Sequence, residues 1–107
     1  MVFLVEDILE AIDRISAYTT DETFESFSSK SMKIDAVLHN FTVIGEASSK
    51  IPEEIKIQYP DIEWRKMTGF RNIIVHEYFG ILLSTVWDTI RKNLPHLKEQ
   101  IKRIRNR

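Results

Sequence analysis

The chain has 107 residues, 15 Lys/Arg against 16 Asp/Glu and no cysteine. That length suits one domain, residues 1–107, and 43% hydrophobic with 29% charged residues suits a globular protein with a modest core. The missing cysteines exclude a disulfide framework and any thiolate metal site, and a net charge of −1 argues against strong non-specific binding to nucleic acid.

The start, Met1 to Asp7, is too briefly apolar for a signal peptide and lacks a basic leading region. No apolar run approaches the roughly 18 residues of a membrane span. The expectation is a cytoplasmic protein with no membrane partner.

From there the periodicity is helical nearly throughout. Leu4, Ile8, Ala11, Ile12 and Ile15 form a stripe that ends near Tyr18. Thr19 followed by Glu22 matches a capping box, which predicts a short helix carrying Phe24 and Phe27. A longer helix is expected over Ser31–Ala47, with Ile34, Val37, Leu38, Phe41 and Ile44 as its stripe. Gly45 lies inside it, where glycine costs about 1 kcal/mol against alanine; close approach of another helix would account for it. Ser49 to Pro52 breaks the pattern, and Pro52 can begin a short helical turn.

Asp61 is a candidate N-cap for a helix running through Trp64, Met67, Ile74 and Tyr78, ended by Phe79-Gly80. Leu82, Leu83, Val86, Trp87 and Ile90 mark the next helix, and Leu94-Pro95 starts a last one with Leu97, Ile101 and Ile104. No segment alternates as a strand. The pattern predicts an all-α, up-and-down bundle of four to five helices.

Charge is unevenly placed along this bundle. Residues 1–50 hold four basic and nine acidic side chains (−5), and residues 51–107 hold eleven and seven (+4). The basic end fits either an anionic partner such as RNA or a solvated helix end whose cations complement the dipole.

The segment Arg71-Asn72-Ile73-Ile74-Val75-His76-Glu77-Tyr78 concentrates the chemistry. An arginine can hold a phosphate, an imidazole can move a proton near neutral pH, and a tyrosine hydroxyl can accept a covalent group. Trp64, Met67, Ile74, Val75 and Tyr78 share one sector of an ideal helix, with Arg71 in its middle. A guanidinium there needs a carboxylate such as Glu46, a phosphate, or water in a cleft. His76 lies about 140° around from Arg71, whereas Tyr78 shares the face of Arg71. A combined Arg71–His76 site therefore needs a bend, the reach of the arginine, or a second copy across a two-fold axis. The spacing alone is weak, because Arg91 and His96 repeat it around Pro95, and His76 alone is equally an exposed helix histidine.

The ordered motifs resemble the HEPN superfamily, specifically the HepT-like toxins paired with minimal nucleotidyltransferase antitoxins. They are Ile8 to Ile12, Phe24 to Phe27, Ala36-Val37 through Ile44-Gly45-Glu46-Ala47, Tyr59 to Trp64, Gly69 to Asn72, His76 to Phe79, Val86-Trp87, and Asn93 to Leu97. The likeness covers nearly the whole chain. It departs in a shorter N-terminus and in Asn93, where an acidic residue is expected.

The resemblance implies a HEPN-type homodimer whose paired Arg71 and His76 line a cleft at the two-fold interface. It implies metal-independent cleavage of RNA, a tRNA or an mRNA, without a cofactor. His76 would serve as general base and then acid, Arg71 would bind the scissile phosphate, and Asn72 would help to position the phosphate or the backbone. Tyr78 would be AMPylated by the cognate antitoxin, blocking the cleft. The alternatives are a non-catalytic nucleotide-binding or scaffold partner of a nucleotidyltransferase, and a plain helical dimerisation module whose Arg71 pairs with an acid.

Overall fold

A computed structural model describes all residues from Met1 to Arg107 and contains helices and turns but no strand. The elements are α1 (Val2–Thr19), α2 (Phe24–Ser28), α3 (Ser31–Ser49), α4 (Glu53–Gln58), α5 (Trp64–His76), a 3₁₀ turn (Tyr78–Gly80), α6 (Leu83–Asp88), a π-helical segment (Thr89–Asn93) and α7 (Leu94–Arg105). Because α6, the π segment and α7 run on without a break, the bundle has four long members and two short ones.

The predicted stripes form the core. Ile8, Ala11, Ile12 and Ile15 of α1 and Val37, Leu38, Phe41 and Ile44 of α3 are buried in one cluster of 22 apolar side chains. This cluster also takes Val86 and Ile90 from the start of the long last helix, and Leu94, Ile101 and Ile104 from α7. The central member is α3, which packs against α1 on one side and α5 on the other, while α1 also packs against α7. Non-directional burial of such stripes is the main stabilising force in a bundle of this kind.

Gly45 has the expected reason. A Cβ added there would lie 2.3 Å from Arg71 Cβ and 2.9 Å from the Met67 carbonyl oxygen, so α5 crosses α3 at backbone range. This crossing is what places Arg71.

Four local expectations are corrected. The capping box is formed by Thr23 and Ser26, with Ser26 N donating to Thr23 Oγ1 at 3.1 Å and Thr23 N to Ser26 Oγ at 2.8 Å. Thr19 instead ends α1, its hydroxyl donating to Ile15 O at 2.8 Å. The Glu22 carboxylate is held by Ser26, Lys30 and Lys33, and these donors hold its pKa down to about 2.

The second correction concerns α5, which starts at Trp64 and stops at His76, so Tyr78 is not on it. Asp61 does not cap this helix. Its carboxylate accepts from Gln100 at 3.2 Å and from Arg103 at 2.5 Å, tying the loop to α7 and lowering its pKa. Val75 is the third, exposed rather than within a buried stripe.

Finally, Leu94-Pro95 does not start a separate helix. The Leu94 N–H donates to Thr89 O, five residues back. This wide turn accommodates a proline that lacks an N–H and would crowd the Arg91 carbonyl of a regular helix.

Candidate active site at the end of α5

Arg71 leaves α5 on the flank that crosses Gly45, and its side chain is 24% exposed. Glu46 Oε1 lies 3.1 Å from its Nε. The carboxylate lies off the N–H direction, however, so this buried Nε–H has no hydrogen-bond acceptor. The two charges attract, but the directional part of the interaction is missing. The terminal nitrogens have no partner in the chain either, and because the side chain is part-exposed they are the donors an anionic oxygen can reach.

Asn72 is exposed beside it and makes no side-chain hydrogen bond. His76, the last residue of α5, is exposed to solvent. No hydrogen bond or ion pair within the chain links Arg71, His76 and Tyr78 to one another.

Tyr78 opens the 3₁₀ turn and swings back towards α3, where its hydroxyl donates to Asp35 Oδ1. This hydrogen bond, slight burial and repulsion by the same carboxylate push the hydroxyl pKa up to about 12. The shared face expected for Arg71 and Tyr78 therefore does not exist, because the helix ends before the tyrosine. Asp35 was not legible as a site residue: 43 positions separate it from Tyr78, and no local spacing connects them.

Apolar side chains surround this region without cover. Ile73, Val75, Phe79 and Leu82 are all exposed, Phe79 completely. On the other flank of α5 a cleft of about 530 Å³ separates it from the long last helix, lined by Phe41, Met67, Phe70, Ile73, Leu97 and His96 among others. Phe41 and Phe70 meet at its base with ring centroids 4.9 Å apart.

The second Arg–His pair is arranged differently. Arg91 Nη2 donates to Thr19 O at 2.9 Å and Glu22 O at 2.8 Å, and the guanidinium lies 4.3 Å from the Trp87 ring centre. Arg91 closes the α1–α2 connection, and His96 faces the cleft.

Residues 8–104, from α1 into the last turn of α7, match the profile of the family described as ribonuclease HepT-like. The chain belongs to that family. The resemblance read from the ordered motifs is thereby borne out, and the all-helical bundle agrees with it.

This HepT-like chain is 37% identical over 101 residues to a Thermococcus cleftensis protein named "Probable ribonuclease HepT", covering 94% of this chain and 92% of that one. It is 38% identical over 99 residues to the "Putative RNase MJ0125" of Methanocaldococcus jannaschii, covering 92% and 84%. A longer protein of the same organism, "Gamma-glutamylcyclotransferase and putative RNase MJ0434", is 37% identical over 97 residues. There the match takes in 91% of the HepT-like chain but only 44% of the relative. No solved structure matches significantly. No helix of the HepT-like chain is long and apolar enough to cross a membrane.

Proposed function

We propose that this chain is an endoribonuclease of the HepT-like family, the toxin of a toxin–antitoxin pair, with Arg71 and His76 as its catalytic residues. The single observation that carries the assignment is the part-exposed guanidinium of Arg71, whose terminal nitrogens have no partner in the chain, on the helix that ends in an exposed His76. The RNase names of its relatives supply the substrate class.

His76 takes the proton of a ribose 2′-hydroxyl as that oxygen attacks the adjacent phosphorus. The new O–P bond displaces the 5′-oxygen of the next nucleotide, which leaves with a proton returned by the imidazole. Arg71 binds the phosphate and neutralises the charge that develops on it, and Asn72 assists in its placement. Each step uses side chains alone, without a metal ion.

A homodimer completes the site in this reading. Arg71 and His76 diverge around α5, and the uncovered Ile73, Val75, Phe79 and Leu82 beside them suit a second copy. Tyr78 is the regulatory residue, AMPylated by a minimal nucleotidyltransferase. The added phosphate and nucleoside would exclude RNA by bulk and repulsion.

His76→Ala should lower RNA cleavage by about 10²–10⁴-fold while the protein keeps its fold and oligomeric state. Cleavage at the wild-type rate by the purified variant would sink the assignment. Chelation with EDTA should leave the wild-type rate unchanged. The Glu46 ion pair favours one rival, a plain helical dimerisation module whose Arg71 pairs with an acid. Under that rival the wild-type chain cleaves no RNA at all.

A further inference from the structure

Tyr78 is unlike the other tyrosines. Tyr18 and Tyr59 are half-buried in the packing around the core, and neither hydroxyl is hydrogen-bonded. Tyr78 is exposed, sits on a 3₁₀ turn, and donates its hydroxyl proton to a carboxylate on a different, rigid helix. Asp35 is the fifth residue of α3 and has no other hydrogen-bond or ion-pair partner, so nothing competes for its oxygens.

We propose that Asp35 is the general base that makes the Tyr78 hydroxyl an adenylyl acceptor. This rests on the reading of Tyr78 as a modified residue and deepens it. In the step, Tyr78 Oη attacks the α-phosphorus of a nucleoside triphosphate. The Oη–P bond forms as the bond from that phosphorus to the β-phosphate oxygen breaks, and pyrophosphate leaves with the electron pair. The hydroxyl proton passes to Asp35 Oδ1 and from there to water. The donor and its cations are held by the nucleotidyltransferase, while the base comes from the chain being modified.

Magnitudes decide between two ways in which the carboxylate could act. It pushes the hydroxyl from 10.0 to about 12, which depletes the phenolate about a hundredfold at neutral pH. If attack required a preformed phenolate, Asp35 would hinder it. If the proton leaves during attack, the same contact is a positioned base. Such a base is worth about 10²–10⁴-fold, which matches or exceeds the depletion. A catalytic aspartate accepting the proton of an acceptor hydroxyl is the arrangement that protein kinases use. The other titratable groups close in sequence are Lys33, two positions before Asp35 and paired with Glu22, His39, one turn further along α3, and His76 and Glu77 beside the tyrosine.

The test uses the full chain and adenosine 5′-phosphorimidazolide, which adenylylates nucleophiles without an enzyme. Peptide mapping should find Tyr78 labelled ahead of Tyr18 and Tyr59, with no label at that position in Tyr78→Phe. Asp35→Asn keeps a hydrogen-bond acceptor but removes the base, and should slow labelling of Tyr78 by about a hundredfold. The ratio of wild-type to variant rates should fall about tenfold per pH unit between roughly pH 7 and 9, as phenolate takes over in the variant. A purely structural Asp35 would not produce that slope, and His39→Gln should preserve it.

Equal labelling of wild type and Asp35→Asn, or a pH-independent ratio, overturns the proposal. A parallel arm uses ATP, Mg²⁺ and a minimal HepT-associated nucleotidyltransferase. Adenylylation there at the same rate in Asp35→Asn overturns the role of Asp35 but leaves Tyr78 as the target. No mass gain in wild type, with the expected imidazolide behaviour, removes the nucleotidyltransferase reading and keeps Asp35 as the activating base.

Discussion

Arg71 and Arg91 each precede a histidine by five residues, yet their surroundings differ in kind. Arg91 reaches two backbone carbonyls at 2.9 and 2.8 Å and stacks on Trp87, so its charge is used up in holding the α1–α2 connection. Arg71 is offered one carboxylate at a poor angle, and its part-exposed terminal nitrogens have no partner in the chain. The difference teaches that a spacing motif becomes informative only after its donors are counted. A satisfied arginine belongs to the fold, and an unsatisfied one is available to a ligand.

The comparison can be broken most sharply by removing each guanidinium in turn. Arg71→Ala should lower RNA cleavage by about 10²–10³-fold with little change in melting temperature. Arg91→Ala should leave cleavage per folded molecule unchanged but cost about 2 kcal/mol, roughly 10 °C in Tm. Reversed outcomes would transfer the site to the other pair. Gly45→Ala is next in size, because the new methyl meets Arg71 Cβ and the Met67 carbonyl rather than a movable side-chain end. It should destabilise by about 1–3 kcal/mol and also impair cleavage, as α5 shifts; unchanged Tm and activity would contradict the close crossing.

On the Arg91 side, the depressed Glu22 carboxyl makes a pH prediction. Its folded value is about 2 against an ordinary 4.5, so its contribution is present above about pH 4.5 and drains away as pH falls towards 2. Thermal melts of Glu22→Gln should therefore lose part of the wild-type decline over that window. The smallest effect belongs to Glu46→Gln. It should tighten binding of inorganic sulfate at Arg71 by a few-fold at most, since a half-exposed pair is worth about 0–1 kcal/mol. Weaker binding by the variant would show that Glu46 orients the guanidinium rather than occupying it.

Much of the bundle was legible because its signals are local. The stripes of α1 and α3 announce their buried faces, and Gly45 announced a helix crossing through the cost it carries inside a helix. Glu46 was readable as an acid for Arg71, though not its misdirected angle. The sequence misleads where a rarer residue fills a common pattern or where a distant partner decides. Thr19–Glu22 fits the capping-box pattern, whereas Thr23–Ser26 has serine where Glu or Gln is usual, and Lys30 and Lys33 hold the Glu22 carboxylate instead. An unbroken helix would put Tyr78 on the face of Arg71, whereas the chain leaves α5 at His76 and the tyrosine hydroxyl is held from α3. The π segment was hidden because Pro95 marks helix starts more often than widened turns.

The crossing of α5 over α3 has one more consequence. Among the long helices α5 packs on α3, with the cleft on its far flank and uncovered apolar side chains at its end. It is a beam fixed along one edge. Its amide protons should exchange through local openings that leave α1 and α3 closed. Whatever fills the cleft or covers Phe79 adds a second edge, so binding at this end of the molecule can be timed by the slowing of a single helix.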